Sequence, residues 1–191
     1  MAIILGSQSP RRRELLEKLD LPFTILTAGI DETVRPELTP AQAVADISAR
    51  KAAAILRQAS EDDLVITADT IVVLDGQIMG KPHSPEEAEQ MLSSLSGRTH
   101  QVYTAVTLHS HARQKTEVVC TQVTFRPLDP TEIRAYIASG EPMDKAGAYG
   151  IQGRGAVLVS HLEGDYFNVM GLPLCTLCRM LRSFGVKVLG V

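Results

Sequence analysis

Near the start of the chain, Gly6-Ser7-Gln8-Ser9-Pro10-Arg11-Arg12-Arg13 places two hydroxyls and three guanidinium groups where an apolar run, residues 2–5, gives way to a helical pattern. Ser9 followed by Pro10 reads as a helix start, with a hydroxyl for the N-cap and a proline where no donor is lost. The first turn of a helix lies in the positive end of its macrodipole and favours acids, so each arginine costs about 0.3 to 1 kcal/mol unless an anion answers it. Free N–H groups, hydroxyls and guanidinium forks gathered on one spot are what a phosphate site at a helix N-terminus requires. The alternative is a solvated basic turn. Three other segments repeat the cap-then-proline device, at Thr39-Pro40, Ser84-Pro85 and Asp129-Pro130, and each has Gln or Glu at the third helical position as a capping box does. Only the first departs from that pattern.

A second candidate sits in the most apolar run of the chain, residues 64–74, which is rich in β-branched residues and closed by Asp75-Gly76, a hairpin signal. Asp69 interrupts it. A carboxylate in a buried strand costs several kcal/mol unless it is paired or coordinated, so Asp69 is a candidate for chemistry, or else a structural residue at a bulge or turn beside Thr70. Asp31 and Glu32 lie side by side in a loop after a short strand, and Lys81 stands in the compact loop Gly80-Lys81-Pro82. Arg50 and Lys51 fall in the second half of a helix, where a cation suits the dipole and solvent equally well.

The elements that must position these groups follow from periodicity and punctuation. Helices are expected over residues 10–19, 40–58, 84–95, 129–139 and 173–184. Strands are expected over 23–28, 64–74, 77–79 and 156–160, with 99–109 and 116–125 pairing as a long antiparallel hairpin. Residues 164–166 read as a turn. Residues 141–153 form a polar, glycine-punctuated loop of a length that compact domains seldom keep without a use, so it should line the site.

At 191 residues the chain suffices for one sizeable core, and no composition break divides it, so a single domain, possibly of two lobes, is expected over residues 1–191. A net charge of −3 argues against bulk binding to nucleic acid or acidic membranes, so the basic residues act by placement. Neither a membrane span nor a signal peptide is evident, and a cytoplasmic location is expected. The three cysteines do not make a disulfide framework; Cys175 and Cys178 have C-x-x-C spacing but read as core residues on one helix face. The five histidines lie scattered, away from any carboxylate cluster. P-loop and Rossmann fingerprints are absent.

Six motifs in order, Ser7-Gln8-Ser9-Pro10-Arg11-Arg12, Ala68-Asp69-Thr70, Gly80-Lys81-Pro82, residues 96–100, residues 141–153 and residues 169–173, resemble the motif series of the Maf proteins. The resemblance runs nearly end to end. It implies an α/β fold like that of inosine triphosphatase, an elongated mixed β-sheet flanked by helices, with two lobes and a central cleft. It also implies a nucleoside triphosphate pyrophosphatase that cuts between the α and β phosphates, uses a divalent metal cation (Mg2+ or Mn2+), and works as a homodimer. Carried over by residue, Asp69 matches the proton acceptor. Ser9, Arg12, Lys51 and Lys81 match residues lining the cleft, and Glu32, with Asp69, matches the metal-holding acids. Arg12, Thr70 and Gln152 match the positions that accompany choice of base, in the combination of the branch taking dTTP and UTP. An amide offers both a donor and an acceptor to a pyrimidine edge, although it could also serve a purine. The alternatives are a purine-directed house-cleaning pyrophosphatase and a nucleotide-binding regulator of septum formation without turnover. A pure binder gains nothing from carboxylates facing a polyanion unless a metal lies between them.

Overall fold

In the computed structural model, which describes residues 2–190, one seven-stranded mixed sheet carries the chain. The strands are β1 (Ile3–Leu5), β2 (Phe23–Ile25), β3 (Leu64–Leu74), β4 (Gln77–Met79), β5 (Thr99–His109), β6 (Gln114–Phe125) and β7 (Val159–Glu163). The helices are α1 (Pro10–Glu17), α2 (Pro40–Leu56), α3 (Pro85–Leu95), α4 (Pro130–Ala138), α5 (Tyr166–Met170) and α6 (Leu174–Ser183). Sheet order is β2-β1-β3-β5-β6-β7, with β4 pairing β3; β1 is parallel to β2 and β3, and every other pair is antiparallel. No helix among the described residues is long and apolar enough to cross a membrane.

β3 is the axis of the molecule, and its alternation divides the core. Leu64, Ile66, Ala68, Val72 and Leu74 join the main core with Leu15 and Leu16 of α1, Leu92 of α3 and Leu177 of α6. Val65, Ile71 and Val73 face the other way, under Val44, Ala52 and Ile55 of α2. The capping boxes at Thr39 and Asp129 form in full. At Ser84 only the hydroxyl half forms, because the Glu87 carboxylate accepts instead from the His83 N–H.

Several expectations need correction. The strand expected at 156–160 is displaced to Val159–Glu163, since Arg154–Leu158 winds into a 3₁₀ turn. Residues 164–166 are the entry to α5, capped by Asp165, which accepts from the N–H groups of Phe167 and Asn168. The loop 141–153 carries 3₁₀ turns at Glu141–Asp144 and Ala146–Ala148 and buries Pro142, Gly147 and Ala148. Cys175 is exposed and Cys178 half-buried; the buried face of α6 is Leu174, Leu177, Met180 and Leu181. Asp69 sits in no bulge, for β3 pairs with β5 in unbroken register from Val65 to Val73.

Candidate active site

The site begins with an interruption in the sheet. On one edge of β3, β1 pairs with residues 64–66 and β4 with residues 72–74, so residues 67–71 meet neither strand. The Gly6 N–H donates to the Ile66 carbonyl at 2.7 Å, after which the chain turns away into α1. Gly6 is required there, because a Cβ would stand 2.6 Å from the Thr67 methyl and collide with Ile55. Asp69 and Thr70 point to opposite faces of β3, yet this opening lets both reach one cavity of about 1000 Å³. Alternation from Ile66 also turns the main-chain groups of Ala68 and Thr70 toward the opening.

Asp69 is buried, at 8% exposure. Its burial is balanced by Lys51 of α2, whose Nζ donates to Oδ1 at 2.8 Å and lies 3.0 Å from Glu32 Oε2. The Lys51 ammonium is thus engaged by carboxylates on the cavity wall and is not left to solvent. One ammonium holds two carboxylates brought from β3 and from the loop after β2. The surplus negative charge faces the cavity.

Across the opening, Arg12 is fixed by three acceptors. Its Nε donates to the Gly171 carbonyl at 2.8 Å, one Nη to Thr70 Oγ1 at 3.0 Å and the other to Ser7 Oγ at 3.4 Å. Thr70 Oγ1 lies 2.9 Å from Thr104 Oγ1, which donates to the Asn168 carbonyl at 2.8 Å. Burial pulls the Arg12 pKa down and Arg11 adds to the pull, while Asp69 and Glu32 oppose it. An anion in the cavity would relieve that strain on the charged form.

The three arginines of the first turn do not converge as the sequence suggests. Arg11 and Arg12 line the cavity, but helical rotation of about 100° per residue carries Arg13 to the exposed side, where it pairs with Glu17 at 2.9 Å. Ser9 stands at the N-cap position without capping; its own N–H donates to Ser7 Oγ at 3.2 Å, and the residue lines the cavity. Lys81 lines it too, exposed, on a loop tied to the 3₁₀ segment by the Gly147 N–H to Gly80 carbonyl bond at 3.0 Å. The residues carried over by the resemblance, Ser9, Arg12, Glu32, Lys51, Asp69, Thr70, Lys81 and Gln152, all line this one cavity, whereas Arg13, Asp31 and Arg50 do not.

The family model described as Maf-like protein matches residues 2–184. The chain belongs to the Maf family. This Maf chain is 54% identical over 190 residues to the dTTP/UTP pyrophosphatase of Moorella thermoacetica, covering 98% of itself and 97% of that relative. It is 53% identical to the dTTP/UTP pyrophosphatase of Pelotomaculum thermopropionicum over 98% of both chains. A solved structure, the dITP/XTP pyrophosphatase of Mycobacterium abscessus, aligns with a TM-score of 0.47 at 13% identity over 96% of this chain and 98% of that one.

The Maf cavity also holds residues that sequence reasoning did not single out. Lys145 reaches the wall, donating to the Glu141 carbonyl at 2.7 Å and to Asp144 at 2.6 Å, and Arg11 approaches the same Asp144 at 3.9 Å. The loop holding Lys145 was marked by its glycines, but nothing in the sequence separates this lysine from a solvated one. Glu14 touches the site through Gln152, whose Nε2 donates to both of its oxygens, at 3.2 and 3.0 Å. In the sequence Glu14 reads only as a surface acid four residues before Lys18, which does lie 3.7 Å away.

Proposed function

We propose that this Maf protein is a nucleoside triphosphate pyrophosphatase that hydrolyses dTTP and UTP to the monophosphate and pyrophosphate. The observation that carries the reading is the Lys51 ammonium bridging Asp69 and Glu32 on a cavity that Arg12 and Lys81 also line. The names of the relatives at 53 and 54% identity supply the substrate pair.

Phosphoryl transfer needs positioning and charge stabilisation more than covalent help. In this reading the triphosphate is gripped by Arg12, Lys51 and Lys81, with the Ser9 hydroxyl as a further donor. As Lys51 turns to phosphate oxygen, Asp69 Oδ1 loses its partner and becomes the base that takes a proton from the attacking water. The new bond joins that water oxygen to phosphorus, the bridge between the α and β phosphorus atoms breaks, and pyrophosphate carries away the bridging electrons.

A divalent cation, Mg2+ or Mn2+, would be held by Glu32 and Asp69 and would neutralise charge on the phosphates. The donor chemistry fits, since both acids offer hard oxygen. No group of three His, Cys, Asp or Glu among the described residues could hold a metal alone, so phosphate oxygens and water would complete the shell. The test is a panel of triphosphates assayed for pyrophosphate with and without the cation. Release from dTTP and UTP that depends on the cation is expected; diphosphate as the primary product would overturn the assignment, and a purine preference would overturn the substrate.

A further inference from the structure

We propose that Glu14 is a positioning residue for base selection: it fixes the Gln152 carboxamide so that its oxygen, and not its nitrogen, faces the base. The inference rests on the pyrophosphatase reading above and deepens it.

A carboxylate only accepts hydrogen bonds. Both Glu14 oxygens lie within 3.2 Å of the same Gln152 Nε2, so the usual ambiguity between amide oxygen and nitrogen is removed. Turning the amide over would set Oε1 against two negative oxygens. Both hydrogen bonds of the Gln152 side chain run from Nε2, which leaves Oε1 as the group free to meet a ligand. Met79, Ile151 and Met170 add apolar surface to the cavity that Gln152 lines.

The chemistry then discriminates between pyrimidines. Uracil and thymine carry a hydrogen on N3 between two carbonyls, and an acceptor pointed at that edge is satisfied by it. Cytosine has a bare lone pair at N3, which would face the lone pairs of Oε1. A site that aims an acceptor therefore suits the N3 hydrogen of uracil and thymine and sets lone pair against lone pair for cytosine. Glu14 itself lines no part of the cavity; it acts through the amide. Its side chain is half-exposed, so its loss should disturb orientation and leave the fold in place.

The test uses Glu14→Gln and Glu14→Ala with UTP and CTP as paired substrates, and Lys18→Ala as the control, since Lys18 is the other charged partner of Glu14. Glu14→Gln accepts the Gln152 amide in either orientation, and Glu14→Ala in none. The wild type should favour UTP strongly by kcat/KM. Both Glu14 variants should lose roughly tenfold of that ratio, equivalent to about 1.4 kcal/mol, mainly through improved use of CTP, and Lys18→Ala should retain it. A merely structural role would lower both substrates together and leave the ratio unchanged, and that result overturns the proposal. Equal use of CTP and UTP by the wild type also overturns it. Wild-type protein releasing no pyrophosphate from any pyrimidine triphosphate would instead overturn the pyrophosphatase reading beneath it.

Discussion

Structure and chemistry make opposite demands on Asp69. Removing one partner of a buried ion pair costs about 3 to 5 kcal/mol when the other is stranded, but Glu32 remains 3.0 Å from the Lys51 ammonium and limits that loss. Asp69→Asn should therefore fold, with stability changed by about 1 kcal/mol, while turnover falls roughly 10²- to 10⁴-fold through loss of the base. Turnover and thermal unfolding on one preparation decide it; near-normal turnover per folded molecule would remove Asp69 from the mechanism. Arg12 behaves differently. Sequence alone makes Arg12→Ala neutral or slightly stabilising, by relief at the helix N-terminus. Bonded to Gly171, Thr70 and Ser7, however, Arg12 has structural work as well. Arg12→Ala should cost about 1 to 2 kcal/mol of stability in addition to about 1.5 to 3 kcal/mol in kcat/KM, and urea titration beside steady-state kinetics separates the two.

At the scale of elements, the segment after α4 is shaped around one carboxylate. Glu141 accepts from Arg154 N–H at 2.8 Å, Gly155 N–H at 3.0 Å and Tyr136 OH at 2.9 Å. Burial alone would raise its pKa, but the Gly155 and Arg154 N–H groups, Tyr136 and the charge of Lys145 outweigh burial and hold it low. A Cβ on Gly153 would land on this carboxylate, so the glycines mark where the chain folds against it. Glu141→Gln keeps the size but turns an amide N–H₂ toward a donor; it should cost about 2 kcal/mol, read by urea unfolding, and loosen both Lys145 and Gln152. How much of this was legible follows from range. The existence of β3, α2 and the β5–β6 hairpin follows from local periodicity, and proline with a capping residue fixes the helix starts. The opening beside residues 67–71 does not, because it depends on where β1 stops and β4 begins against β3. The Glu141 network joins residues 136 to 155 through one side chain, and no spacing rule reveals it. The cluster of candidates could be assembled from motif resemblance, but the Lys51 bridge between Asp69 and Glu32 is visible only in three dimensions.

Across the whole molecule, the wall of the cavity is tied to the centre of the sheet by a buried histidine. His100 of β5 is fully buried, its Nε2 lies 2.8 Å from the Tyr149 hydroxyl, and its ring meets Phe125 and Tyr149 edge-on at 5.2 and 5.4 Å. Tyr149 in turn lines the cavity. Burial lowers the His100 pKa from 6.5 to about 4, so the unfolded chain binds this proton first. Stability from this group is then complete above the unfolded value and is lost as pH falls from about 6.5 through about 4; below that both states are protonated and the dependence ends. The full swing is about 3 kcal/mol. His109 is lowered too, by burial and by His111, so the assignment needs a difference measurement. Urea unfolding of the wild type and His100→Gln at intervals from pH 7 to about 4.5, above the range where most carboxylates titrate, should give a stability that slopes downward with acid for the wild type and a distinctly flatter line for the variant. The level of the variant's line carries its packing cost and does not matter; parallel slopes would remove His100 as the source. Because the folded imidazole stays neutral until the pH nears 4, fluorescence from the few tyrosines of the folded protein should hold steady from pH 7 to about 4.5 while stability falls, and change only near pH 4.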